Sequence, residues 1–204
     1  EVFIHSFSSY CYQARAFLLV DDLGPVSFGK VVVINGNFDM LRYTPDDLRV
    51  LVAALLVACG LCQEDARTAS MVLVDADLRG IDSHGIAHLA THKSYVKGLK
   101  SGTVNAEACS KTLMENSTTA VVDGNGGLGP VVAYKAMMLS IEKAKESGVG
   151  LVGVRNGHHY GAAGYYSMLA IPHDMIGISM TQASPAVLPT FGKSRKLGTL
   201  SLIH

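Results

Sequence analysis

Asp77-Leu78-Arg79-Gly80-Ile81-Asp82-Ser83-His84-Gly85 sets two carboxylates, a guanidinium, a hydroxyl and an imidazole side by side, and further histidines follow at 88 and 92. Imidazole titrates close to neutral pH, so it is the natural group to take or give the proton of a carbonyl/alcohol interconversion. Ser83, next to His84, is placed to orient that ring or relay its proton. A second cluster, Asn156-Gly157-His158-His159-Tyr160-Gly161, adds two more imidazoles between glycines, where backbone can come close to a ligand. The plain alternative for the first stretch is a polar turn between helices, and for each single histidine a satisfied side chain with no chemical task.

Other chemistry has to be weighed against this. His84, His88 and His92 are spaced by four and share one face if the segment is helical; two such rings can hold zinc, with His158 or His159 completing the set. The pair His84 and His88 encloses Gly85-Ile86-Ala87, so no glutamate stands where a zinc hydrolase needs its base, and no metal ligand is assigned. Gly124-Asn125-Gly126-Gly127-Leu128-Gly129 matches a dinucleotide fingerprint, between an expected strand and an expected helix. Against it, Pro130 removes a backbone N–H from the first helical turn, and Arg155 stands where an acid would take a ribose. A glycine turn packed on a neighbour is the equal alternative. Cys59 and Cys62 have CxxC spacing but no matching second pair; two buried thiols around a helix end at Gly60 are expected.

These groups need elements to hold them. Thr44 is a good N-cap, Pro45 suits the first helical position, and Asp46 and Asp47 favour the positive end, so a helix runs from there to about Cys59. A second spans about Gln63 to Asp77 with Ala66, Ala69, Val72 and Ala76 on one face. A third is expected from about Ser83, carrying His84 and His88 and continuing towards Leu99. Beyond it the texture changes to strands at 118–123, 149–155 and 175–181, alternating with helices at 130–147 and 162–170. Alternation of this kind implies an α/β core from about residue 117. The expected division is 1–38 as a leader or foreign segment, 39–116 as a helical region, and 117–204 as part of an α/β core.

The totals agree with a folded domain. The chain has 204 residues, 49% hydrophobic and 17% charged, with a formal net charge of zero. No basic excess is present to neutralise phosphates, so nucleic acid is not expected as a partner. The longest apolar run, Val50 to Cys62, is too short for a bilayer span. Four cysteines at irregular positions do not make a disulfide framework, and a cytoplasmic setting is the default. An organelle presequence at the N-terminus is only weakly matched.

The motifs in series resemble one family. DLRGIDSHG (77–85), DGNGGLG (123–129) with Tyr134-Lys135-Ala136-Met137, VRNGHHYGAAG (154–164), Met175–Thr181 with Ser184-Pro185, Phe191-Gly192 and Leu197-Gly198-Thr199 are similar to the malate/L-lactate dehydrogenase family. That family also contains ureidoglycolate dehydrogenase and diketogulonate reductase, and is distinct from the Rossmann-type enzymes. The resemblance covers roughly residues 40–199. It implies helices followed by a mixed-sheet, non-Rossmann core that binds NAD or NADP, and it turns the glycine motif into a structural turn. It places the general acid/base at His84, its relay partner at Ser83 and a second active-site imidazole at His159. Cofactor contacts fall on His159, Tyr160, Gly161, Ala162, Ala163, Ala183 and Ser184. The implied substrate is a small 2-hydroxy or 2-oxo acid, and the implied assembly is a homodimer. His88 stands where many members carry a carboxylate-binding arginine, and a histidine lacks that permanent bidentate fork. The pattern normally continues past residue 199, so a truncated chain, weak or inactive alone, is expected.

Overall fold

In this computed structural model, residues 2–5, 15–18, 43–89, 95–181 and 187–196 are described. The elements are β1 (Val2–His5), β2 (Arg15–Leu18), α1 (Pro45–Ala58), α2 (Gln63–Leu78), α3 (Tyr95–Lys100), β3 (Lys111–Glu115), β4 (Thr119–Asp123), α4 (Gly129–Ser147), β5 (Leu151–Arg155) and α5 (Ala163–Met168). β1 and β2 pair antiparallel as a separate ladder. Most of the expected 1–38 segment lies outside the described residues.

α1 starts as its sequence dictates. Thr44 is the N-cap, its hydroxyl accepts from the Asp47 amide at 3.2 Å, and Pro45 opens the first turn. Gly60 ends the helix at φ +101°, a conformation that costs glycine little. α2 returns against α1, burying Ala66, Ala69, Val72, Leu73, Val74 and Ala76. Of these, Ala66, Ala69, Leu73 and Val74 join Val52, Leu55 and Leu56 of α1 and Ile86, Leu89, Tyr95, Leu128 and Val131 from beyond the hairpin in one core. The helix pair is therefore the floor on which the Ser-His-Gly stretch rests. Cys59 and Cys62 flank the inter-helix turn as free thiols, but Cys62 is exposed, so the expected burial of both is corrected.

β3, β4 and β5 form a mixed sheet, antiparallel between β3 and β4 and parallel between β4 and β5. α4 makes the crossover and covers the face carrying Ala120 and Val122. Its end is the left-handed Gly148, and Ser140 donates to the Gly150 carbonyl at 2.7 Å, closing the return into β5. The buried Lys143 ammonium reaches Glu115 and the Asn116 carbonyl, each at 2.7 Å, and ties α4 to the β3–β4 turn.

Two expectations need correction. The single helix from Ser83 towards Leu99 is instead two short 3₁₀ turns, Asp82–His84 and Ile86–Leu89, with α3 following at Tyr95. Gly85, at ψ −151°, is extended and breaks the helical path. The Ile86 amide that would have continued the ladder goes to the Asp77 carboxylate at 2.8 Å. His92 lies outside the described residues. The strand expected at 175–181 makes no ladder among the described residues. It keeps a two-residue burial period, with Gly177 and Ser179 in and Ile176, Ile178 and Met180 out. A period of two records which side chains face the body; it does not supply the hydrogen-bonded neighbour that defines a strand.

Candidate functional site

The two histidine clusters, some 75 positions apart in the chain, meet in space. The His84 and His159 ring centroids lie 5.5 Å apart, those of His88 and His159 4.3 Å, and those of His84 and His88 6.4 Å, all stacked. Tyr95 stands beside them, its ring 5.1 Å from His88 and 6.0 Å from His159. Each ring reaches this place by a different local device.

His84 is set by the 3₁₀ turn that follows α2. The Asp77 carboxylate, at the end of α2, lies under the loop and accepts the Ile86 amide. A Cβ on Gly85 would overlap that carboxylate, so only glycine allows the loop to close over it. Burial, helped by the neighbouring Asp82 charge, pushes the Asp77 carboxyl up to about 6, while the Ile86 amide pulls the other way. Ser83 Oγ and His84 Nδ1 are 2.8 Å apart, the separation of a real hydrogen bond. The sequence singled out both residues; the carboxylate beneath them was in the motif but had no assigned task. His88, one 3₁₀ turn on, is half-buried, and burial together with the nearby His84 ring holds its imidazole below the usual range.

His159 is set from the other side of the molecule. The turn after β5 rests on the start of α4, and a Cβ on Gly129 would overlap the carbonyl oxygens of His158 and His159. Tyr95 Oη lies 2.9 Å from His159 Nδ1, and the Gly161 amide donates to the same nitrogen at 3.3 Å. Gly161 takes φ +81°. Tyr166, fully buried in α5, donates its hydroxyl to the Tyr160 carbonyl and stacks on the Tyr160 ring at 5.1 Å. Tyr160 Oη also lies 3.4 Å from Ser179 Oγ. The turn from His159 to Ala163 is thus held in shape before any ligand arrives. Gly161, Ala162 and Ala163 are buried, whereas His158 and His159 are exposed. Ala183 and Ser184, the remaining expected cofactor contacts, lie outside the described residues.

The glycine motif at 124–129 resolves as a packing turn. The Gly124 amide donates to the Arg155 carbonyl, Gly126 to Asn156 and Gly127 to Gly124, each at 2.9 Å. Those N–H groups face protein, and a pyrophosphate would need them free. A Cβ at Gly127 would come within 2.8 Å of Ala108. The same turn is braced by Asp123, which takes the Asn125 amide and the Arg155 and Asn156 side chains. Arg155, expected to weaken the fingerprint, is thereby engaged with Asp123. Among the described residues no group of three or more His, Cys, Asp or Glu side chains is arranged to hold a metal ion; rings stacked face to face do not aim their nitrogens at a common point.

Two residues matter to this geometry that sequence reading did not single out: Tyr95 and Tyr166 gave no signal beyond being aromatic. Gly129 was named as the last glycine of the fingerprint, the position that serves close packing at a helix start.

Comparison with known proteins gives the context. A profile of the malate/L-lactate dehydrogenase family matches residues 43–203. A malate dehydrogenase of Pyrococcus abyssi is 47% identical over 159 residues, which are 78% of this chain and 43% of that protein. A malate/(S)-sulfolactate dehydrogenase of Methanothermus fervidus is 46% identical over 156 residues, 76% of this chain and 45% of that protein. The structure of malate dehydrogenase from Pyrococcus horikoshii superposes with a TM-score of 0.74 at 44% identity, covering 81% of this chain and 47% of that one. The chain spans less than half the length of these relatives. Helices followed by a small mixed sheet, the ordered motifs and a profile match over most of the sequence converge, and the chain belongs to the malate/L-lactate dehydrogenase family.

Proposed function

We propose that this chain carries the acid–base half of an NAD- or NADP-dependent oxidoreductase that interconverts a small 2-hydroxy acid, malate- or lactate-like, and its 2-oxo acid. The observation that carries the reading is the meeting of His84, His88 and His159 from two turns distant in sequence. In the oxidative direction His84 takes the substrate hydroxyl proton at Nε2, and Ser83 Oγ accepts from Nδ1–H, which keeps the Nε2 lone pair available. When bound, the nicotinamide supplies the acceptor for the hydride leaving the carbinol carbon, and the C–O bond becomes C=O. The residues present suit such a group: the His159–Ala163 turn is fixed in advance by Tyr166, lined by small residues, and holds no acidic side chain.

His88, whose imidazole burial favours as the neutral form, meets the substrate carboxylate as a hydrogen-bonding partner and not as a fixed charge. This favours acids whose second polar group is recognised elsewhere. A homodimer in the cytoplasm belongs to the same proposal; among the described residues Cys59, Cys62 and Cys109 are free thiols and no helix is long and apolar enough to cross a membrane.

The test is a nicotinamide fluorescence titration with NADH and with NADPH, on this chain and on His159→Ala, followed by turnover with malate, lactate and their oxo acids. Saturable binding that is lost in the variant supports the reading. A folded chain that binds neither nucleotide, and whose full-length protein turns over no 2-hydroxy or 2-oxo acid, rejects it.

A further inference from the structure

We infer that Tyr95 is a positioning residue: its hydroxyl, together with the Gly161 amide, holds Nδ1 of His159 as a hydrogen-bond acceptor, so the neutral ring carries its proton on Nε2. A backbone N–H only donates, and the Gly161 amide points at His159 Nδ1. Nδ1 therefore bears no proton in the neutral ring. The Tyr95 hydroxyl, 2.9 Å from the same atom, is then the donor of that pair as well. Tyr95 is 2% exposed, and burial pushes its hydroxyl above the ordinary tyrosine range, so it keeps the proton it donates.

The consequence is a division of labour between two rings that look alike in sequence. His84, with Nδ1 at the Ser83 hydroxyl, can present a lone pair at Nε2. His159, with Nδ1 occupied by two donors, presents N–H at Nε2 and acts as a hydrogen-bond donor that polarises a carbonyl or steadies a developing alkoxide. A neutral imidazole is too weak an acid to part with that proton, so His159 is assigned no proton transfer. The oxygen it would face rests on the dehydrogenase reading above; the tautomer itself does not.

The test is nitrogen-15 NMR of the histidine side chains in the 204-residue chain, read over a pH series without cofactor, with Tyr95→Phe as the comparison and His159→Ala for assignment. The expected result is an unprotonated Nδ1 and a protonated Nε2 at His159 in the neutral ring. Donors to Nδ1 favour the neutral form, and the imidazoles of His84 and His88 face the same ring. Losing the Tyr95 hydroxyl is therefore expected to move the His159 protonation midpoint upward by roughly half a unit to one unit, the size of one hydrogen bond. Phenylalanine fills the same buried space, so a packing role alone leaves the midpoint in place. A proton on Nδ1 in the unaltered chain, or a midpoint unmoved by Tyr95→Phe, overturns the inference. If the tautomer is as stated while the chain binds no nicotinamide and the full-length protein turns over no 2-hydroxy or 2-oxo acid, the dehydrogenase proposal fails and this assignment stands.

Discussion

The turn that carries His84 and the turn that carries His159 place imidazoles 5.5 Å apart, yet they are built on opposite principles. The first closes over an ionisable group, the Asp77 carboxylate, with Gly85 giving it room. The second is pressed onto backbone at Gly129 and held by groups that stay neutral near pH 7: the Tyr95 and Tyr166 hydroxyls and the Gly161 amide. One turn thus rests on a group that titrates near neutral pH, and the other on groups that do not. A shared site does not require a shared way of holding its residues.

The difference can be broken most forcefully at Gly129. In Gly129→Ala the new methyl meets two backbone carbonyls that cannot rotate aside. Overpacking of this kind costs about 1–3 kcal/mol or more, and we expect a lowered Tm and, on the proposed function, loss of nicotinamide binding. A variant with the Tm and binding of the unaltered chain would show that the turn does not depend on this contact. Gly85→Ala comes next. Its methyl meets a carboxylate that can swing away, but only by giving up the Ile86 amide, and a cost of about 1–2 kcal/mol is expected by thermal unfolding.

Asp77→Asn sharpens the comparison. The carboxyl sits near 6 in the fold, above its ordinary value of 3.8. The folded state therefore binds this proton more tightly than the unfolded state. The stability that the group contributes is complete below about pH 4 and is lost as pH rises through 6. With allowance for partial exposure to solvent, the loss is about 1–2 kcal/mol. Asparagine keeps an acceptor for Ile86 and removes the charge, so the variant should equal or exceed the unaltered chain in stability at pH 7. Its stability should also lack this component between pH 4 and 7; an unchanged pH profile in urea unfolding would sink the idea. Lys135→Ala is the mildest change. It removes a 2.7 Å ion pair to Asp65 that spans α2 and α4, the helices behind the two turns. With Lys135 substantially exposed, the expected loss is about 0–1 kcal/mol and diminishes in high salt.

The unevenness of what the sequence reveals follows the same divide. α1 and α2 were legible nearly to the residue, because caps, a stop glycine and the apolar period all act within a few positions of one another. So were β4, α4 and β5. The Ser83–His84–Gly85 stretch was legible as a site, but its shape was not. A spacing of four promised a helix face, and a carboxylate seven residues before His84 diverted the backbone. The Tyr95–His159 bond was out of reach, since nothing local relates positions 64 apart. The glycine motif had the right flanks for a nucleotide loop, and only the destination of its amides shows that it packs against protein.

The stacking of His84, His88 and His159 has a consequence for charge capacity. Rings whose centres lie 4.3–6.4 Å apart cannot all be imidazolium without mutual repulsion. Burial and the His84 ring already hold His88 below its usual range. A charge on one ring therefore works against a charge on the ring it faces, and His88, half-buried and faced by His84, is the ring held towards the neutral form.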